Sequence, residues 1–391
     1  MNIILYNPLG ATKGHAQEYV DNICSGLVEN GAKVALVTID SYKIEDENIR
    51  HKVSTYTFKG NSNEVHSNRS SVINNLRYAL WLIGATTFSL LSLIRGIRSE
   101  RPSSCLFIGG SSLVNSFFLP FLKLFFPKIK FALTLHNVDF DWKLHRGNVL
   151  KQAYKLMQLY ATKLLCTMNI YIFTHGELMV NKTIKYLGSC KDKVGYYPVP
   201  TTSSAHFNPS NCKSKKVQPI ILFFGVIRHD KGLDILTNAL KQVLDLDWKL
   251  VIAGSCEQVG EEYVAECISI LPKERVEMDL KYFSNYDRDE YFCNCSIVCL
   301  PYRRSFQAQS VVMVDAMRFH KPVIATLESQ NGYNTKKYKT GWVFESENIP
   351  QLVEVLKKAL AYDNFLSSDG YKQFNSDHQP KKVAEKIMKM I

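Results

Sequence analysis

The sequence has no C-x-x-C pair, although ten cysteines are spread through its 391 residues. Without cysteine or histidine partners at ligand spacing, zinc fingers and ribbons are excluded, and Cys293 and Cys295 stand too close for an easy bridge. Scattered thiols of this kind are expected to stay reduced in a cytoplasmic protein. The stretch "MNIILYNPLG" lacks a basic region and a long apolar core, so it is expected to be a first buried strand, not a secretory leader. The apolar run from Tyr78 to Ile94 has 17 residues and is diluted by Gly84, two Thr and two Ser. A crossing helix needs ~20, so a helix buried against a sheet is expected there. Low-complexity tracts and fixed-period repeats are also missing, which excludes a disordered tail and a solenoid.

Acidic residues are the scarcer charge, 36 against 48 basic, for a net charge of +12. The imbalance lies in residues 1–200, with 23 Lys+Arg against 13 Asp+Glu; residues 201–391 hold 25 against 23. The first half is therefore expected to face something anionic. Nucleic acid is not the expected partner, because no RNP-like aromatic motif, zinc finger or recognition helix is present. The segment "SFFLPFLKLFFPKIKF" (116–131) instead mixes Phe117, Phe118, Phe121, Phe125 and Phe126 with Lys123, Lys128 and Lys130. Basic and aromatic character together suit peripheral contact with an anionic membrane, the alternative being an ordinary helix and strand edge.

Hydrophobic content of 46% and charged content of 21% are those of a globular protein, and the length suggests two domains. Strand and helix alternate from the start. "NIILYN" is followed by the loop "PLGATKGH", the helix "AQEYVDNICSGLVENG" and the strand "KVALVTI". Further strands are predicted at 104–109, 130–135 and 170–174. A second series begins near 218 with "PIILFFG", "KGLDILTNALKQVLDL" and "WKLVIAG", and continues through "SIVCLP", "SVVMVDAMRF", "KPVIAT" and "GWVFE". Between them "VGYYPVPTTSSAHFNPSNCKSKK" reads as a linker. The pattern predicts an α/β protein of two parallel-sheet domains, with ligands at the carboxyl ends of the strands.

Those strand ends carry the chemistry. In "FFGVIRHDKGLDIL" (223–236) a strand stops at Gly225, a loop presents Arg228 and Lys231, and a helix opens after Gly232. Two cations beside a helix N-terminus make an anion site, suited to a pyrophosphate; a surface turn with two solvated cations is the alternative. "LTLHNVDF" places His136 directly after a strand, where it could meet a sugar hydroxyl or accept a proton. "YIFTHGELM" repeats that arrangement with His175 and Glu177. Gly10 and Gly14 follow the first strand, with His15 next in line. In "SFQAQSVVMVDAMRFHKPVIAT" (305–326), Gln307 precedes a helix and Ser310 stands at its start. Asp315, inside that helix, needs partners, and vicinal ribose hydroxyls would serve. The set asks for no metal. Read from spacing alone, the ligand is anionic and rich in hydroxyls.

These stretches resemble the GT-B glycosyltransferases, in particular the retaining family 4 enzymes that include bacterial polysaccharide and lipid-linked-sugar transferases. The resemblance implies two Rossmann-like domains facing across a cleft. Residues 1–199 would hold the acceptor, 200–365 the donor, and 366–391 would form a helical segment returning to the first domain. It implies a metal-independent hexosyltransferase with no cofactor. The donor would be a nucleotide-diphospho-sugar, and the acceptor a saccharide or lipid-linked saccharide at the cytoplasmic face of the membrane. By similarity, Arg228 and Lys231 would bind the donor diphosphate, and His136 would lie near the reacting sugar. Gly14 and His15 belong to the loop beside the diphosphate. Gly225 ends the strand before the diphosphate loop, and the N–H groups of Ser310 and Val311 would approach the phosphates or sugar. Gln307 and Asp315 occupy the two acidic positions of the family's E-x7-E motif, read here as Q-x7-D. Asp keeps the charge at shorter reach, whereas Gln removes it while retaining hydrogen-bonding capacity. A non-catalytic scaffold subunit of the same fold is the rival reading.

Overall fold

The computed structural model describes residues 1–8, 15–59, 72–109, 112–138, 140–142, 147–188, 190–201, 218–361 and 368–391. The chain divides into two compact units. One comprises Met1–Thr174, Val180–Thr202 and Gln379–Ile391; the other comprises His175–Met179 and Ser203–His378.

The first unit is built on seven parallel strands: β1 (Asn2–Tyr6), β2 (Lys33–Ile39), β3 (Val53–Phe58), β4 (Ser104–Phe107), β5 (Lys130–Thr134), β6 (Tyr171–Thr174) and β7 (Val194–Tyr196). Their spatial order is β3-β2-β1-β4-β5-β6-β7. Helices α1 (His15–Glu29), α2 (Glu47–Arg50), α3 (Val72–Glu100), α4 (Ser112–Phe125), α5 (Val149–Thr167) and α6 (Glu177–Leu187) come between the strands. Central strands such as β1 and β4 are buried on both faces, which explains their unbroken apolar runs. The run Tyr78–Ile94 lies inside α3, and no described helix is long and apolar enough to cross a membrane.

The second unit has six parallel strands: β8 (Ile220–Phe224), β9 (Lys249–Ala253), β10 (Val276–Asp279), β11 (Ile297–Leu300), β12 (Val323–Thr326) and β13 (Gly341–Phe344). Their order is β10-β9-β8-β11-β12-β13. Between them run α7 (Leu233–Leu240), α8 (Glu261–Ile268), α9 (Asn285–Asn294), α10 (Val311–Arg318) and α11 (Gln330–Tyr338). After β13 come α12 (Ile349–Leu360) and α13 (Ser368–Asp377), and the last helix, α14 (Pro380–Met390), packs against α1 in the first unit. Each unit is thus an α/β layer structure of the Rossmann type, with one core cluster around Phe223 and Trp248 and another around Leu5 and Phe173. Eight described cysteines are free thiols; Cys293 is disulfide-bonded, against the expectation of a fully reduced set.

In the second unit the strand order reverses direction between β8 and β11, and in the first between β1 and β4. At such a switch the loops leaving the two strands diverge to opposite faces, and the opening between them is where a ligand fits. The next question is which side chains those loops carry.

Candidate active site

In the second unit, the loop leaving β8 begins at Gly225, with φ +100°, where a side chain would press on Val312. Its N–H donates to Ala253 O, and Ile227 N–H to Ser255 O, so the loop is stapled to the end of β9. The loop closes at Gly232, with φ +70°, where a Cβ would overlap the Pro301 carbonyl. Only glycine meets both demands, and α7 can start there.

Between the two glycines lie Arg228 and Lys231. The Arg228 guanidinium forks onto Asp230, with Nε and Nη2 donating to its two carboxylate oxygens at 2.9 Å each. Lys231 is 9 % exposed. Its Nζ stands 3.8 Å from the Tyr302 ring centroid and 4.2 Å from that of Phe306, and it makes no hydrogen bond or ion pair among the described residues. Burial, with the Arg228 charge adding, pushes its pKa down to about 7, while Asp230 opposes the shift. A cation held by aromatic faces and short of an anion is electrostatically incomplete.

Tyr302 and Phe306 come from the loop leaving β11, the strand beside β8. That loop is fastened to the first by Arg303. Its N–H donates to Asp230 O and its Nη1 to His229 O, both at 2.9 Å, and its guanidinium also pairs with Asp234 and Glu347. Gln307, farther along, donates from Nε2 to Arg304 O at 3.1 Å, while its own carbonyl accepts from Gln330 N–H. Ser310 stands at the N-terminus of α10. Its N–H donates to Asn331 Oδ1 at 2.8 Å, and its hydroxyl shares a hydrogen bond with Tyr302. The Ser310 N–H is thus already engaged, unlike the expected role. Val311, the first helical residue, has no acceptor one turn back within the helix.

Asp315 lies one turn deeper on α10 and is 2 % exposed. Its Oδ2 is 3.7 Å from Arg288 Nε on α9; Arg288 in turn reaches Asp289, which also binds Arg318. A buried carboxylate inside an apolar helix is tolerated because the Arg288 guanidinium lies beside it. The structure therefore brings Gly225, Arg228, Lys231, Gln307, Ser310 and Val311 to one switch point, and sets Asp315 behind them in an ionic cluster. Tyr302, Phe306 and Arg288 escaped the sequence reading. An aromatic residue directly after "SIVCLP" was the available signal for the first of these.

In the first unit, His136 follows β5, and its Nε2 donates to Ile108 O at 2.8 Å at the end of β4. That bond fixes the neutral ring with Nδ1 as acceptor. The Tyr19 ring meets it edge-on at 5.5 Å, and Tyr19, Tyr197 and Thr134 share a chain of hydroxyl hydrogen bonds at 2.6 and 2.7 Å. His15 opens α1, one turn before Tyr19, with Nδ1 3.3 Å from Glu18. Gly14 lies outside the described residues. Glu177, counted with the second unit, binds Tyr333 and Lys337 on α11, a structural tie. Three D-x-D triplets occur, at 139–141, 245–247 and 287–289. Asp139 lies outside the described residues, and Asp247 accepts from Gln218 in the turn before β9.

Residues 207–373 match the family model described as glycosyl transferases group 1. No curated protein sequence matches the chain. Sucrose-phosphate synthase from Thermosynechococcus elongatus is similar in structure, with TM-score 0.74 and 14% identity over 100% of this chain and 98% of that one. HepE of Anabaena, solved with UDP and glucose, has TM-score 0.65 and 14% identity over 100% and 98%. The lipopolysaccharide outer core galactosyltransferase WaaB, in its apo form, has TM-score 0.65 and 12% identity over 100% of both chains. With two parallel-sheet units and these neighbours, the chain has the GT-B fold of glycosyltransferases, and most of its second unit matches the group 1 model.

Proposed function

We propose that the protein is a hexosyltransferase of the retaining family 4 type. It would move a sugar from a nucleotide-diphospho-sugar to a hydroxyl acceptor in bacterial surface polysaccharide or glycolipid synthesis. The observation that carries this reading is Lys231, a buried amine lacking an anionic partner among the described residues, with Arg228 beside it at the end of β8. Neutral ligands would leave that charge uncompensated; a diphosphate would complete it. HepE is solved with UDP-glucose, and a donor of that class is inferred here.

In the reaction the bond between the sugar C1 and the diphosphate oxygen breaks, and negative charge gathers on the leaving oxygen. Arg228 and Lys231 stabilise that charge. The acceptor oxygen bonds to C1 on the same face and passes its proton to the leaving phosphate, so neither a protein base nor a metal ion is required. Asp315 is assigned to the ribose hydroxyls and Gln307 to a sugar hydroxyl. Gly225 admits the backbone to the phosphates, with the Val311 N–H at the start of α10 opposite. On the first unit, His136 is assigned to the reacting sugar and His15 to the loop beside the diphosphate.

Thermal stabilisation by UDP, GDP, ADP and CMP compounds and their sugars tests the reading. One diphosphate at 100 times its dissociation constant should add about 2.7 kcal/mol, and Arg228→Ala should erase that response without lowering the melting point of the free protein. A flat response from folded wild-type protein would overturn the transferase and favour the scaffold.

A further inference from the structure

Two helices of the first unit carry large apolar side chains on their exposed side. On α4, Phe117, Phe121, Leu124 and Phe125 point to solvent, Phe117 being 68 % and Phe125 78 % exposed. The inward positions include Asn115 and Ser116 beside Leu119 and Leu122. On α5, Leu150, Tyr154, Met157, Tyr160 and Leu164 are exposed, Leu150 by 85 %. There the buried side has Gln158 and Thr162 beside Leu165 and Cys166. In each helix the exposed residues recur three and four apart, so they form one stripe. The helices pack against each other, and Gln158 Nε2 donates to Ser112 Oγ at 2.8 Å between them. A solvated surface helix would carry polar residues along that exposed stripe.

Charge decides what covers this face. Neither helix contains a carboxylate, whereas α4 carries Lys123 and α5 carries Lys151, Lys155 and Lys163. Lys155 and Lys163 hold their Nζ atoms 5.9 and 5.8 Å from the ring centroids of Tyr154 and Tyr160. Lys128 and Lys130, beyond the end of α4, are exposed. A second copy of the chain would set lysine against lysine. An anionic lipid surface offers apolar depth to the rings and phosphates to the amines.

We propose that α4 and α5 form a docking face for a bilayer surface containing anionic phospholipid. This surface lies outside the nucleotide-binding loops and does not depend on the transferase reading. Sedimentation of the full-length protein with vesicles tests it, using phosphatidylcholine alone or with about a third phosphatidylglycerol. The protein should sediment with the anionic vesicles and only weakly with the neutral ones. Salt should weaken binding severalfold without abolishing it, because the apolar contacts are not screened. Replacing Phe117, Phe121, Leu150 and Met157 by serine should lower partitioning about tenfold or more. Lys151→Gln, Lys155→Gln and Lys163→Gln together should remove the preference for anionic vesicles, a second readout should the serine variant fold poorly. Wild-type protein remaining in the supernatant, or variants that partition unchanged, would overturn the proposal. So would a vesicle-free dimer that the serine substitutions dissociate, since the face would then belong to a second copy. Nucleotide stabilisation, read on the same samples, reports the donor site separately.

Discussion

Lys231 makes its own chemistry testable through pH. Its ammonium form is disfavoured in the fold, where the pKa falls from 10.5 to about 7. The unfolded chain therefore holds more protons than the folded one between those two values, and this residue's contribution to stability rises with pH across that window. Below pH about 7 both states are protonated and the full cost of burying the charge is present. A bound diphosphate reverses the preference, so binding at pH 8 should recruit a proton to Lys231. Calorimetric titration of the nucleotide selected by thermal stabilisation, in two buffers of different ionisation enthalpy, reads this directly. The heats should differ by the equivalent of a substantial fraction of a proton for wild type, and should coincide for Lys231→Met. Equal heats for wild type would remove Lys231 from the anion site. The sequence places this lysine beside a helix start, but says nothing of its low pKa. That property comes first from burial, and the rings over the amine, Tyr302 and Phe306, stand some 70 residues later in the chain, brought alongside by the pairing of β11 with β8.

At the scale of the element, the turn from β8 into α7 depends on one residue without a side chain. Gly232 has a left-handed backbone and lies against the Pro301 carbonyl, so an added Cβ meets both torsional strain and overlap. Gly232→Ala should destabilise the second unit by about 1–3 kcal/mol and weaken nucleotide stabilisation, because Lys231 directly precedes the turn. A melting curve and nucleotide response matching wild type would show that the turn can be built another way. The glycine was visible in "RHDKGLDIL" as the break before a helix. Its reason was not, since Pro301 ends a different strand. Burial also explains which strands could be read. Those with continuous apolar runs, such as β8 and β12, were found in the sequence. The edge strands β3 and β10 alternate or expose their side chains and resemble loops, and β7 is hidden in the stretch read as a linker.

For the whole molecule, the chain's return to its first unit is a structural commitment. Helix α14 buries Val383, Ala384 and Ile387, and Ile391 after it, in the same cluster as Leu5 and Leu27. It lies so close to α1 that a Cβ at Gly26 would overlap the Pro380 carbonyl, and Asn30 donates to Lys381 O at 2.8 Å. Alternating strand and helix signals revealed two sheets, because parallel strands buried on both faces write themselves as apolar runs. They could not say which core claims a terminal helix: the amphipathic pattern of α14 would suit either, and the choice rests on the shape of α1. The energetics can be bounded. Burying one valine and two isoleucines is worth on the order of 5 kcal/mol, comparable with the whole stability of a domain. Truncation after His378 should therefore unfold the first unit at a much lower temperature, or prevent it from folding, while the second unit keeps its nucleotide response. Differential calorimetry of the truncated chain should show the high-temperature transition of one unit preserved and the other displaced. Loss of both transitions would mean that the second unit draws its stability from the first, and an unchanged profile would mean that α14 contributes little to the core it covers.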